Sequence, residues 1–467
     1  MTTSDLPEDG GCFSRFVTRP SRNRHTGKVE WGRADNLSRL QSPPHYHTMF
    51  NLKSKLLAAV AALLCAGTAF AQDSGPLLDV LVKKGIINDQ EAEGLRADLA
   101  RDSSASVLST ISGGKSTAAL SISGRLQIQY AGLGVSVTGQ PVNPVSTEHF
   151  FLRRIYLGAK ANLGNGWSST FNYDFAGSTF DAAFASWRMD DTFSVDVGFR
   201  KVPFGLEEYF TSSASLKSIE RSPTNRYFVE SNNGRRLGGG SYRIGAFVGG
   251  KLDSGIFYNA AVTNPERNED AIAGVTSAGS NTNNSLSYWG NLGYAGKVDG
   301  GWNYQVATSV GILPDQGGPS NTGLGKGDGI TEYSFWATLT NGAFELNAEY
   351  LTGTVQHGVS AALDSKPNGY WIQPSYKISE TLEATVRYSA LYTGRRGVNI
   401  SDGVRSAPSG GTMRNMNEWY YGLSYYFRGN DVKLQLGYIH AESDTAVTGA
   451  AASAKSDGVR SQMQVNF

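Results

Sequence analysis

Residues 150–161 read FFLRRIYLGAKA, a strand-like run with two adjacent arginines at its centre. Side chains alternate faces along a strand, so Arg154, Tyr156 and Lys160 share one face, while Arg153 falls on the other with Phe151, Ile155 and Leu157. An unpaired guanidinium in an apolar core is very costly, so the charged face must meet water. Arg153 breaks the pattern. It requires a β-bulge at 152–154 or a place at a rim where it can snorkel. The run FSVDVGFRK puts Asp196 and Arg200 on the same kind of polar face. The stretch 203–234 adds Ser212, Ser213, Lys217 and Arg221. Guanidinium groups supply charge and planar paired donors, and hydroxyls supply neutral donors. Together they suit transient coordination of an oxyanion. Ordinary solvated wall residues would show the same types.

Catalysis finds less support. No HExxH, GxSxG, P-loop or CxxC motif occurs. His149, His357 and His440 each lie near a predicted strand end, where a lone histidine is usually solvated. The carboxylates Asp174, Asp196, Glu345, Glu349, Glu383 and Glu418 are too scattered to propose an acid–base pair. No catalytic residue, metal or cofactor is expected.

The elements that must position these side chains are strands. From residue 118 onward the pattern has a period of two. ALSISGRLQIQY alternates Leu120, Ile122, Leu126, Ile128 and Tyr130 against Ser121, Ser123, Arg125, Gln127 and Gln129. WSSTFNYDF, AFELNAEY, TLEATVRYSA and SQMQVNF repeat the alternation. Strands are expected at 118–131, 150–163, 166–177, 180–190, 192–202, 235–249, 253–263, 285–297, 301–313, 330–341, 343–356, 367–379, 381–393, 416–428, 431–442 and 457–467. Short glycine-rich turns alternate with longer polar loops, aromatics cluster beside the turns, and the chain ends on Phe467. These features favour an all-β, 16-stranded antiparallel transmembrane β-barrel over a soluble sandwich. Closure satisfies the backbone inside lipid, and sixteen strands leave room for water. The connection 203–234 is long enough to fold inward and narrow such a lumen.

The start of the chain has a different character. From Met49, Lys53 and Lys55 precede the apolar run Leu56–Leu64, which is too short to span a bilayer, and Ala69-Phe70-Ala71 follows. Residues 49–71 therefore read as a secretory signal peptide. Residues 1–48 read as a mis-assigned upstream segment or a disordered leader. Both cysteines, Cys12 and Cys65, precede the cleavage point, so the mature chain has no thiol chemistry. Removing residues 1–71 takes nine basic and five acidic residues, leaving 33 against 36, a formal charge of −3. That balance gives no reason to expect a nucleic-acid partner. Within 72–117, residues 76–101 have helical spacing and precede a Ser/Gly/Thr linker. This short periplasmic helix would form a coiled coil at an oligomer axis, a plug or a flexible tail. The barrel itself occupies 118–467.

Four segments resemble the phosphate-selective porin O and P family. They are LLDVLVKKGIINDQEAEGLRADL, FFLRRIYLGAKANLGNGWSSTFNYDFA, VGFRKVPFGLEEYFTSSASLKSIERS and the terminal phenylalanine. The resemblance implies a homotrimer in the bacterial outer membrane, surrounded by lipid, that takes up small phosphate-like anions through a constriction. It carries Arg153, Arg154 and Tyr156 over as the family's Arg-Arg-x-Tyr, Ser212 and Ser213 as its serine pair, and Arg221 as the arginine after Ile-Glu. Two departures stand out. Tyr209 replaces a lysine found shortly before the serine pair, and there is no alternating run of arginines. A weakly selective general diffusion porin is the alternative reading. A barrel enzyme such as a lipase would need an outward Ser–His pair, which the outward positions do not contain.

Overall fold

The computed structural model describes residues 119–138, 145–265, 285–314, 316, 328–447 and 453–467. The expected signal peptide, the 76–101 helix and the linker lie outside these residues.

Seventeen strand segments form one antiparallel sheet. They are β1 (Ala119–Thr138), β2 (Val145–Gly164), β3 (Trp167–Asp174), β4 (Thr179–Arg188), β5 (Ser194–Lys201), β6 (Tyr242–Lys251), β7 (Ile256–Thr263), β8 (Ser287–Val298) and β9 (Trp302–Leu313), followed by β10 (Ile330–Asn341), β11 (Phe344–Ser360), β12 (Leu363–Ser365), β13 (Asn368–Lys377), β14 (Leu382–Tyr392), β15 (Met413–Arg428), β16 (Val432–Ala446) and β17 (Ser453–Asn466). β12 is a three-residue ribbon on the far end of β11, which itself pairs with β13. Sixteen strands therefore make the wall, as the alternation predicts. β1 pairs with both β2 and β17, which closes the barrel and removes its edges. The C-terminus completes the seam, with Gly124 N–H donating to Phe467 O at 2.7 Å and Phe467 N–H to Gly124 O at 3.1 Å.

Side chains on the outer face are apolar. Leu152, Leu292, Phe335, Ile372 and Leu436 are all exposed there. A soluble protein rarely shows so continuous an apolar surface, whereas a barrel in hydrocarbon requires one. One rim carries tight hairpins. In Gly164-Asn165-Gly166 all three residues have φ between 52° and 81°, and a Cβ on Gly166 would stand 2.1 Å from the Arg188 carbonyl oxygen. Only glycine fits that third position.

The inner face is polar yet largely buried, because the β5–β6 connection crosses the lumen and packs against it. Several strand bounds differ from expectation. β1 runs on to Thr138 rather than 131, β11 to Ser360 rather than 356 and β16 to Ala446 rather than 442, while β2 starts at Val145 rather than 150 and β17 at Ser453 rather than 457. The strand expected from 235 begins at Tyr242. Residues 235–241 belong to the loop, held by Arg235 on Asp402 at 2.6 Å, Arg236 on Glu230 at 2.7 Å and Leu237 N–H on Tyr227 O at 2.9 Å. Ion pairs and backbone bonds within the loop, together with the ion pair to the β14–β15 connection, thus outcompete extension of β6.

The loop starts with a π-helical turn, Gly205–Phe210, and includes the helix α1, Pro223–Val229. Ser222 caps α1 by accepting from Asn225 N–H, and Pro223 occupies the first helical position, where no N–H is needed. Phe204 and Phe210 pack on Trp289 and Trp336 at ring-centroid distances of 6.3 and 4.8 Å. Further along, Lys217 meets Glu383 on β14, Ile219 N–H donates to the Tyr420 hydroxyl on β15, and Lys433 on β16 donates to Leu216 O. The loop therefore crosses the lumen from β5 to the β14–β16 wall. A second, short helix α2, Ile400–Gly403, lies in the β14–β15 connection, and Gly403 O receives Arg226 Nη1 at 2.8 Å.

Candidate functional site at the lumen constriction

The Arg153 problem resolves at the β1–β2 ladder. Gln127 pairs with Arg154 and Ile128 with Leu152, so Arg153 is an inserted residue with no opposite partner. This β-bulge lets Arg153 and Arg154 both point inward while Leu152, 53% exposed, still faces out. A second bulge occurs on β4. Asn172 pairs with Ala182 and Tyr173 with Phe180, which leaves Asp181 inserted. Asp181 also points inward and accepts from the Tyr156 hydroxyl at 3.2 Å and from Asn172 Nδ2 at 3.2 Å.

Five of the nine sequence-predicted residues meet at one cavity of about 240 Å³: Arg153, Arg154, Tyr156, Ser213 and Arg221. Lys160 and Arg200 line a separate, larger vestibule of about 920 Å³. There Arg200 pairs with Asp196 and donates to the Tyr209 hydroxyl at 3.3 Å. Tyr209, which stands where the family places a lysine, in turn bonds Asn259 Oδ1 at 3.1 Å. Lys217 is at the far wall, between Glu383 at 2.7 Å and Glu345 at 3.4 Å. Ser212 sits in a turn, with its carbonyl accepting from Ser215 and its hydroxyl accepting from Ala214 N–H, so the serine pair splits and only Ser213 reaches the cavity.

Charge at the constriction is uneven. Arg154 is 4% exposed and donates to the neutral Gln127 Oε1 at 2.7 Å. Arg125, on β1, donates to Ser213 Oγ at 2.6 Å and Asn466 Oδ1 at 2.9 Å, and lies 5.4 Å from the centre of the Tyr156 ring. Among the described residues no carboxylate forms an ion pair with either guanidinium. Beside them Arg153, Arg405 and Arg460 converge on Glu220 at 2.5, 3.2 and 3.8 Å. Arg226, Arg236 and Arg405 converge on Glu230 at 2.9, 2.7 and 2.6 Å. Arginine thus outnumbers carboxylate around both acids. Burial alone would raise the Glu220 carboxyl, but Arg153 and Arg405 outweigh it and hold it well below the usual range. Glu230 is held low in the same way by Arg226 and Arg405. Lys201 and Arg221 share Glu208, at 3.0 and 2.8 Å.

Arg125, Arg405 and Arg460 are site members that the strand pattern alone did not single out. Arg125 stood on the polar face of its strand, and its proximity to Ser213 depends on where the inner loop lands. Arg405 and Arg460 approach Glu220 for the same tertiary reason.

The arrangement offers positive charge, a hydroxyl and a phenol where the inner loop meets β1 and β2 inside a transmembrane barrel. Comparison with known proteins agrees with this architecture. The family model for "Phosphate-selective porin O and P" matches residues 121–467. The anion-selective porin from Comamonas acidovorans is similar in fold, with 13% identity, 75% of this chain and 100% of that one covered, and a TM-score of 0.52. The outer membrane channel DcaP of Acinetobacter baumannii covers 77% of this chain and 100% of its own at 14% identity and a TM-score of 0.49. Pseudomonas putida OprB covers 73% and 94% at 10% identity and a TM-score of 0.48. No curated protein matches the sequence significantly.

Proposed function

This chain belongs to the phosphate-selective porin O and P family, and from that premise we propose that its lumen passes small hydrophilic anions, phosphate-like oxyanions among them, by charge focusing at the arginine-rich constriction. The chain is a porin of the bacterial outer membrane. The observation that carries the anion preference is the pair Arg125 and Arg154, which bond neutral partners and so keep their charge available to a passing solute. Arg153 and Arg221 are already engaged by Glu220 and Glu208 and serve mainly to fix the loop. Binding through two guanidiniums and one hydroxyl is strong enough to admit an anion and weak enough to release it. Planar-bilayer reversal potentials across a KCl gradient test this. Wild-type protein should prefer chloride, and Arg154→Ala should move the potential toward zero. A cation preference in the wild type would overturn the reading.

A weakly selective diffusion porin is the second reading. Its support is the neutralisation of Lys217 by Glu345 and Glu383 and of Arg200 by Asp196. Millimolar phosphate should block chloride current under the first reading and leave it unaffected under the second. With this reading go a homotrimer, a mature barrel domain over 118–467 and, since an outer-membrane protein must be exported, a signal peptide over 49–71. Heat-resistant trimers on gels, compared with a chain lacking residues 76–101, test the oligomer and the role of that segment.

A further inference from the structure

The two bulges flank Tyr156 and insert charges of opposite sign, Arg153 on β2 and Asp181 on β4. Glu220 ion-pairs with Arg153, so Arg154 lines the cavity with no carboxylate of the described residues in ion-pair contact. Asp181 takes its hydrogen bonds from the neutral Tyr156, Asn172 and Tyr242, and Lys201 and Arg125 act on it only from beyond ion-pair distance. Among the described residues no cation pairs with it. One small cavity therefore presents a guanidinium at one side of a tyrosine and a carboxylate at the other, with the Ser213 hydroxyl alongside. The phenol keeps the two charges apart, because its hydroxyl bonds Asp181 while its ring lies under Arg125.

A solute carrying negative charge alone gains from Arg154 and is repelled by Asp181. A solute carrying a carboxylate and an ammonium a few ångströms apart satisfies both groups, and each contact is a charge-assisted hydrogen bond. Bulges are a means of re-aiming individual side chains, and here both act on the same cavity. We infer that this cavity is a subsite for small zwitterions of the α-amino-acid type, in addition to simple anions. The inference rests on the conducting lumen described under the proposed function.

The test uses the purified full-length protein in planar bilayers, with acetate and glycine as probes of chloride current near neutral pH. Both probes should reduce the wild-type current. Asp181→Asn keeps hydrogen-bonding capacity toward Tyr156 and Asn172 but removes the charge. It should raise the half-blocking concentration of glycine by about tenfold, the worth of one charged hydrogen bond, and leave that of acetate unchanged or lower. Arg154→Ala should weaken both probes. Acetate block without glycine block, or a glycine response unchanged in Asp181→Asn, would overturn the zwitterion site and leave the anion channel standing. Absence of chloride current or of any acetate effect would remove the underlying reading and this inference with it.

Discussion

Glu349 on β11 accepts the backbone N–H of Leu206 at 2.8 Å, and so a residue far round the wall holds the root of the inner loop. The same carboxylate accepts from Ser334 Oγ at 2.6 Å and from Trp371 Nε1 at 2.9 Å. Gly205 must approach closely for this to happen. Its φ is +79°, and a Cβ there would meet Glu349 Oε1 at 2.9 Å. Glu349→Ala would strand three donors in a buried setting, at about 1–3 kcal/mol for each that stays unpaired. The expected result is a noisier single-channel current with higher mean conductance. A wild-type trace from the variant would remove Glu349 as the anchor.

Arg387 performs the corresponding task at the other wall. It reaches Glu207 at 3.1 Å and Glu418 at 2.8 Å and donates to Ser218 Oγ and Glu220 O. Removing it leaves two buried carboxylates without their cation. Arg387→Ala should cost about 3–5 kcal/mol, the usual penalty for breaking a buried pair, and should detach the loop from β14. Protease sensitivity of the inner loop in the folded barrel would report this, and wild-type resistance would contradict it.

Acid should act late. The folded Glu220 carboxyl is held well below its ordinary value, since Arg153 and Arg405 outweigh the effect of burial. Its stabilising contribution is therefore complete above the unfolded value of about 4.3 and is lost as pH falls through the lower folded value. The difference in current noise between wild type and Glu220→Gln, which isolates this carboxylate, should stay constant from about pH 7 to about pH 5 and vanish only below about pH 4. A difference that already changes near neutrality, or no difference at any pH, would show that Glu220 does not hold the loop.

Gly239 offers a steric test. A Cβ at this position would fall 1.2 Å from Glu332 Oε1, and Glu332 is fully buried. Gly239→Ala should destabilise the loop's return to β6 by about 1–3 kcal/mol. Shortening the partner in Gly239→Ala/Glu332→Ala should recover much of this, as read from the temperature at which the barrel unfolds on gels. Equal melting of all three proteins would show that the backbone shifts freely there.

Strand number and most strand boundaries were legible in the sequence because each strand has its own two-residue period and its own turn glycines. The polar face was legible for the same reason, and Arg154, Tyr156 and Lys160 all fall on it. The failures arise where side chains meet across the barrel. Lys217 and Arg200 look like free cations in one dimension, but Glu383 and Asp196 neutralise them in three. Arg125 looks ordinary until Ser213 arrives from a loop 88 positions away. The Asp181 bulge left no mark on the pattern, whereas the Arg153 bulge did, because a second arginine beside the first made the break in alternation visible.

The β2 bulge also bears on how such a wall can change over generations. Removing one residue from an ordinary strand turns every later side chain to the opposite face, and lipid would then meet the charges. At Arg153 the count already carries a spare residue, so its loss would restore plain alternation between Leu152 and Arg154 and leave the outer surface intact. The same holds for Asp181 on β4. At these two places the lumen's charge can be edited by single-codon insertion or deletion, a class of mutation that an unbulged strand does not tolerate.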